Sequence, residues 1–288
     1  MLLAVTGGLQ ASGRAHPQVS ANERAPVTRI ISLVPALTEM LFTIGAGPQV
    51  IGVSSYEDFP PDVEALPRVG ALLDPDVERI LALRPDLVLT YGSQSGLEVQ
   101  LARAGVRTFI YRHSGVAGIL QTLRDLGVAT GHAAEGDRKA REIQAQLDAV
   151  RASVRAYPRP RTLLVFGRQP QSLQQMYVSG GAGFLHDILQ IAGGSNVFAD
   201  VRRESVQPSH ETLLARAPEA IVEVRATAML AAGDLPRERS VWAALTSIPA
   251  IRTGRIHFLN GAYLVIPGPR IGLVAEAFAR ALHPEAFR

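Results

Sequence analysis

The stretch Asp76-Val-Glu-Arg-Ile-Leu-Ala-Leu-Arg-Pro-Asp-Leu-Val-Leu-Thr90 decides the fold, because the chain repeats its pattern as Ser209-His-Glu-Thr-Leu-Leu-Ala-Arg-Ala-Pro-Glu-Ala-Ile-Val-Glu223. Each copy reads as a helix with an N-cap (Asp76, Ser209), an acid at the second helical position (Glu78, Glu211) and an apolar face. A proline follows (Pro85, Pro218), and the residue before a proline is biased away from the helical region, so the helix stops there. The short apolar runs Leu87-Val-Leu89 and Ala220-Ile-Val222 then carry the signature of buried parallel strands. The unit recurs after about 130 residues, too long a period for a solenoid. It predicts an α/β protein of two similar lobes, each built round a mainly parallel sheet.

Working outward, Arg29-Ile-Ile-Ser-Leu33 is a β-branched run. Leu37, Leu41 and Ile44 then share a helical face between Pro35 and Gly45. Val50-Ile-Gly-Val53 is the next strand, and Ser54 to Pro61 the loop at its carboxyl end. After the founding unit come Tyr91, the small polar loop Gly92-Ser-Gln-Ser-Gly96, a helix over 97–104, the strand Arg107 to Tyr111 and the loop Arg112-His113-Ser-Gly115. The loop at 92–96 lacks the Gly-Lys-Ser/Thr of a phosphate cradle, and Gln94 occupies the nucleophile position of a Gly-x-Ser-x-Gly elbow. Open parallel sheets bind ligands at the carboxyl ends of their strands, which makes Tyr56, Tyr91 and His113 candidates. A packing role in its own loop is the other reading of Tyr56.

From Val116 the pattern is helical, broken near Gly127 to Gly131, and Ala134 to Tyr157 forms one long helix. At roughly 20 residues it spans on the order of 30 Å, a rigid strut between lobes rather than a Gly/Ser linker. The expected division is therefore a signal-peptide remnant and lead-in over 1–27, an N-terminal lobe over 28–115, connecting helices over 116–158, and a C-terminal lobe over 159–288. In that second lobe the sequence predicts strands at Thr162 to Phe166 and Arg255 to Leu259, and helices at Phe184 to Ile191, near Ala226, at Val241 to Ile248 and at Ile271 to Leu282.

With 47% apolar residues and no very long apolar run, the chain reads as globular rather than membrane-inserted. A net charge of +3 is small for 288 residues and gives no support for nucleic-acid binding. The absence of cysteine excludes disulfides, thiolate metal sites and cysteine nucleophiles. Among the histidines, His16, His132, His186, His210, His257 and His283 lie in termini, helices or strands and read as structural or surface residues. No Ser/His/Asp triad and no paired carboxylates assemble, so the chain is expected not to be an enzyme.

Arg29-Ile-Ile-Ser-Leu-Val-Pro-Ala-Leu-Thr-Glu39, Gly52-Val-Ser-Ser-Tyr56, Pro60-Pro61, Glu78 to Asp86 and Ala215 to Glu219 together resemble the helical-backbone substrate-binding proteins of ABC importers. Ser54 to Pro61 and Pro269-Arg-Ile271 resemble its cobalamin-binding members in particular. The resemblance implies a periplasmic, monomeric binding protein with no cofactor of its own, two lobes joined by one long helix, and a ligand held between them. A corrinoid is the implied ligand, haem or a ferric siderophore the alternative, and a metal-cluster or hydrolytic enzyme on similar lobes the reading of another class. Tyr56 matches a tyrosine of the family's pocket, Tyr91 falls where the family has tryptophan, and Tyr177 near a pocket phenylalanine. Leu72 and Ser205 stand at positions that are tryptophan in the cobalamin binders, and Tyr263 is aligned loosely. His113, at the cleft edge, is a candidate for touching the ligand or its metal. Glu78 and Glu211 match the two acids that dock the family onto arginines of a permease dimer.

Overall fold

The computed structural model describes residues 26–226 and 235–288. The signal remnant expected over 1–27, apart from Pro26 and Val27, and the Ala-rich helix expected near Ala226 lie outside the described residues.

The N-terminal lobe runs β1 (Ile30–Ser32), α1 (Pro35–Thr43), β2 (Val50–Val53), α2 (Val77–Ala82), β3 (Leu87–Tyr91), α3 (Ser95–Arg103) and β4 (Arg107–Tyr111). Its four strands are all parallel, in the order β2-β1-β3-β4. Helices α4 (Val116–Thr130) and α5 (Ala133–Val154) lead to the second lobe. There follow β5 (Arg161–Gly167), β6 (Tyr177–Ser179), α6 (Phe184–Ile191), β7 (Ser195–Asn196), β8 (Ser205–Val206), α7 (His210–Arg216) and β9 (Ala220–Arg225). The chain closes with α8 (Leu235–Ser240), α9 (Pro249–Arg252), β10 (Ile256–Asn260) and α10 (Ile271–Leu282). In this second sheet β10, β9, β5 and β7 pair in parallel, while β6 and β8 add antiparallel pairings. The expected α/β architecture, two mainly parallel sheets joined through a long helix, is what the chain forms.

The repeated unit is duplicated down to its hydrogen bonds. The Asp76 carboxylate accepts from Arg79 N at 2.9 Å, and Ser209 Oγ from Thr212 N at 3.1 Å, so both N-caps are in place. Asp86 accepts from the Thr28 and Arg29 amides, and Glu219 from the Arg161 amide, which pins each β3-like strand to its neighbour. Arg29 and Arg161 each donate to a carbonyl at the C-terminal end of the repeated unit's helix, Arg29 to Leu83 O after α2 at 2.6 Å and Arg161 to Arg216 O of α7 at 2.5 Å. The residues before the two prolines leave the helical region as expected, and both enter the left-handed one, at φ 48° for Arg84 and φ 42° for Ala217.

Alternation along the strands explains how the lobes join. Ile30, Leu87 and Leu89 share one core with Leu164, Ala220 and Val222 of the other sheet, together with the apolar faces of α1, α4, α5, α6 and α10. The intervening residues Ile31 and Val88 face a separate outer core, as do Leu163, Val165 and Ile221 on the other lobe. The strut is thus not a lone helix, since a continuous apolar layer runs from sheet to sheet.

The break expected near Gly127 to Gly131 falls at Gly131 (φ 83°). Gly127 stays helical because α4 and α5 cross there, where a Cβ would sit 2.9 Å from His132 O and 3.2 Å from Gly136 Cα. The helix expected at Val241 to Ile248 is a short 3-10 turn over Val241–Leu245. It stops because Ile248, preceding Pro249, is extended, and because Trp242 is buried with Nε1 donating to Glu223 Oε2 at 3.2 Å. Glu223 belongs to a buried network with Arg168, Glu238 and Arg225 that the sequence reading did not identify.

Candidate ligand-binding cleft

The carboxyl ends of β2, β3 and β4 form one wall. After β2 the chain turns at Ser54, whose amide donates to Ser32 O at 3.0 Å. The buried Glu57 then accepts from Thr38 Oγ1 at 3.1 Å and Ser54 Oγ at 3.4 Å. Arg68 Nη1 donates to the Glu57 carbonyl at 2.8 Å and the Ser54 carbonyl at 3.2 Å, so the loop is tied at both shoulders. Tyr56, between those ties, stands 79% exposed. Burial, opposed by the Thr38 and Ser54 hydrogen bonds and aided by the nearby Glu39 charge, pushes the Glu57 carboxyl up to about 8.

Tyr91 ends β3 and Tyr111 ends β4, in register with each other. With His113 they form a three-ring cluster: Tyr91 and His113 centroids are 5.2 Å apart, Tyr111 and His113 5.5 Å, and Tyr91 and Tyr111 6.0 Å. The Tyr111 hydroxyl lies 3.5 Å from His113 Nδ1. Although His113 keeps an exposed edge, desolvation lowers its pKa against the raising effect of Glu204, which favours the neutral imidazole near neutral pH. Desolvation and Glu204 raise both tyrosines.

Gln94 organises the neighbouring loop. Its Oε1 accepts from Tyr91 N and its Nε2 donates to Leu72 O, both at 2.8 Å. Leu72 is thereby half-buried against the core, while Leu73 beside it is 92% exposed.

The facing wall comes from the second sheet. Tyr177 begins β6 opposite Gly167, at the carboxyl end of β5, with its ring 6.4 Å from Phe166. Tyr177, Val201, Arg203, Ser205, Val206 and Gln207 line a hollow of about 430 Å³. Ser205 is a strand residue paired with Ser179. Glu204 acts electrostatically on Tyr91, Tyr111 and His113 from this side. The walls are also joined by Asp187 Oδ2, which accepts from Val116 N at 2.8 Å.

Between the walls, Tyr263 sits in a short 3-10 turn following β10. The Arg270 guanidinium lies 4.0 Å from the Phe59 centroid and 5.4 Å from that of Tyr263, and its Nε donates to Glu39 Oε2 at 2.8 Å. Burial outweighs the attraction of Arg270 and raises the Glu39 carboxyl.

The seven candidates thus divide by wall: Tyr56, Leu72, Tyr91 and His113 on one side, Tyr177 and Ser205 on the other, with Tyr263 between. Glu78 and Glu211 are exposed on α2 and α7. The sequence reading missed Tyr111, Gln94, Phe59 and Glu204. Strand register could have found Tyr111, because residues paired across adjacent strands lie side by side.

A larger hollow, about 1000 Å³, is lined by Pro26, Asp86, Leu87, Arg107 and Thr130 among others. It lies at the opposite, amino ends of β3 and β4, away from every candidate residue. Among the described residues no group of three or more His, Asp or Glu side chains is arranged to hold a metal ion. Of the other described histidines, His132 Nδ1 lies 3.0 Å from Thr130 O, and His186 Nδ1 3.2 Å from Asn196 Nδ2. No helix among the described residues is long and apolar enough to cross a membrane.

Residues 30–263 match the family model described as periplasmic binding protein. A vitamin B12-binding protein of Salmonella typhimurium is 32% identical over 256 residues, covering 88% of this chain and 90% of that protein. Among solved structures, an apo periplasmic heme-binding protein from Roseiflexus is 27% identical with a TM-score of 0.71, covering 88% of this chain and 99% of that one. The periplasmic vitamin B12 binding protein of Vibrio cholerae, 23% identical, shares the fold with a TM-score of 0.75 over 91% of this chain and 99% of its own. On the extent of the family match and the identity to the Salmonella protein, the chain belongs to the periplasmic binding protein family.

Proposed function

We propose that this protein is a non-enzymatic, monomeric solute-binding protein of the periplasm that captures a corrinoid between its lobes and hands it to an ABC permease. The observation that carries the reading is the ring cluster of Tyr91, Tyr111 and His113 at the strand ends, to which Tyr56, Tyr177 and Tyr263 are proposed to add further faces around the ligand. Large aromatic faces suit a broad, flat macrocycle, and the vitamin B12-binding relative supports a corrinoid. Leu72 and Ser205 are proposed to lie beside these rings.

The His113 and Tyr91 pair favours a second reading, haem, since a neutral imidazole or a phenolate is an axial iron ligand. The heme-binding relative supports that alternative. In either case the metal arrives with the ligand.

Glu78 and Glu211 are the proposed docking acids, one per lobe, for arginines on the two halves of the permease. The core shared between the lobes supports capture with little closure.

His113→Ala tests the cleft. Calorimetric titration with cyanocobalamin should show one site per chain in the parent. The variant should bind at least tenfold more weakly, about 1.4 kcal/mol, or change the visible spectrum of the bound ligand. Unchanged affinity and spectrum would return His113 to a structural role.

A further inference from the structure

Glu39 and Arg270 lie 231 residues apart in the chain and meet at the cleft end of the core that the lobes share. Glu39 sits on the second turn of α1 and Arg270 caps the start of α10. Arg270 donates through Nε to Glu39 Oε2 at 2.8 Å and through Nη2 to Oε1, the two-pronged geometry that a guanidinium offers a carboxylate. The Glu39 side chain is 2% exposed and that of Arg270 23%. Phe59 comes from the loop after β2 and Tyr263 from the turn after β10, so the rings packed near this guanidinium belong to different lobes. The lobes also touch at Gly268, in the loop before α10, where a Cβ would stand 3.3 Å from Glu39 Oε2 and 3.7 Å from Ala36 Cα.

We propose that Glu39 and Arg270 form a clasp between the lobes that sets the width of the cleft and holds Phe59 and Tyr263 as its floor. An apolar core limits how far the lobes can move but is non-directional, so it does not by itself fix the last few degrees of the angle between the sheets. A forked ion pair fixes both distance and orientation. Breaking it strands a buried charge, which the lobes relieve by moving apart and admitting water. Both are positioning residues, acting on the ligand through the rings they hold.

The parent chain contains no cysteine, so Gln100→Cys on α3 and Arg252→Cys on α9 accept spin labels selectively, one on each lobe. In the parent background the distance between labels should be narrowly distributed. Glu39→Gln and Arg270→Met should broaden and shift it, and weaken cyanocobalamin binding at least tenfold. Arg270→Lys, which keeps the charge without the planar fork, should fall between. Should Arg270→Met fail to fold, Glu39→Gln and Arg270→Lys decide the matter. Distances indistinguishable from the parent overturn the clasp, and altered distances with unaltered affinity overturn its effect on capture. The affinity arm rests on the corrinoid reading; the distance arm needs no ligand, so a chain that bound no corrinoid would still report on the clasp.

Discussion

Glu78→Ala combined with Glu211→Ala is expected to abolish ligand-driven transport in vesicles carrying the cognate permease, while ligand affinity and melting stay those of the parent. The two acids occupy equivalent positions in the duplicated unit, each two residues after an N-cap that is itself satisfied. Both are exposed. Their contribution to the fold is the helix-dipole interaction of a first-turn acid, about 0.3–1 kcal/mol each. At an interface the same carboxylates can face arginines out of water, and truncating one partner of such a pair costs about 2–5 kcal/mol. Losing two such pairs is enough to uncouple capture from delivery. Reconstituted transport, with binding measured in parallel, checks this; normal delivery by the double variant would leave the acids as relics of duplication.

The second large effect is a change in how stability depends on pH when Glu57 becomes glutamine. The folded carboxyl titrates near 8 against 4.5 for an unburied one. Between those values the folded chain holds a proton that the unfolded chain has lost. The stability Glu57 contributes is therefore fully present below about pH 4.5 and is lost as pH rises toward about 8, at about 1.4 kcal/mol per pH unit. The groups around it are Thr38 and Ser54, which hydrogen-bond its carboxylate, the Glu39 charge, and the Arg68 charge, which favours ionisation. Glu57→Gln keeps the neutral shape and cannot ionise. Urea unfolding at pH 5, 6.5 and 8 should show the variant gaining on the parent at each step. Parallel pH profiles would contradict the buried neutral carboxyl.

Both predictions draw on features of unequal legibility in the sequence. The repeated unit was readable because its signals are local: a cap, an apolar face, a proline and an apolar run all lie within fifteen residues. The long helix and the positions of Tyr56, Tyr91 and His113 at strand ends were legible for the same reason. What escaped depends on pairing between distant segments. Nothing near Glu39 announces Arg270, and nothing near Ser205 announces the two-residue pairing with Ser179. Gln94 was visible only as a failed nucleophile; its role in joining Leu72 to Tyr91 needs the folded loop. Leu72 was singled out by alignment with a tryptophan, yet it packs inward while its neighbour Leu73 faces solvent. Burial of this kind is decided by one residue of register in a turn, which composition does not encode. Gly127, inside the expected break, stays helical and serves a close helix crossing, which only the folded pair of helices reveals.

The most direct test of the ligand reading is equilibrium dialysis of the purified chain against cyanocobalamin, hemin and a ferric siderophore in turn, followed by the visible spectrum of the retained material. The account predicts one corrinoid retained per chain, with weaker or no retention of the other two. Retention of hemin with a new axial-ligand band and no retention of corrinoid would contradict it.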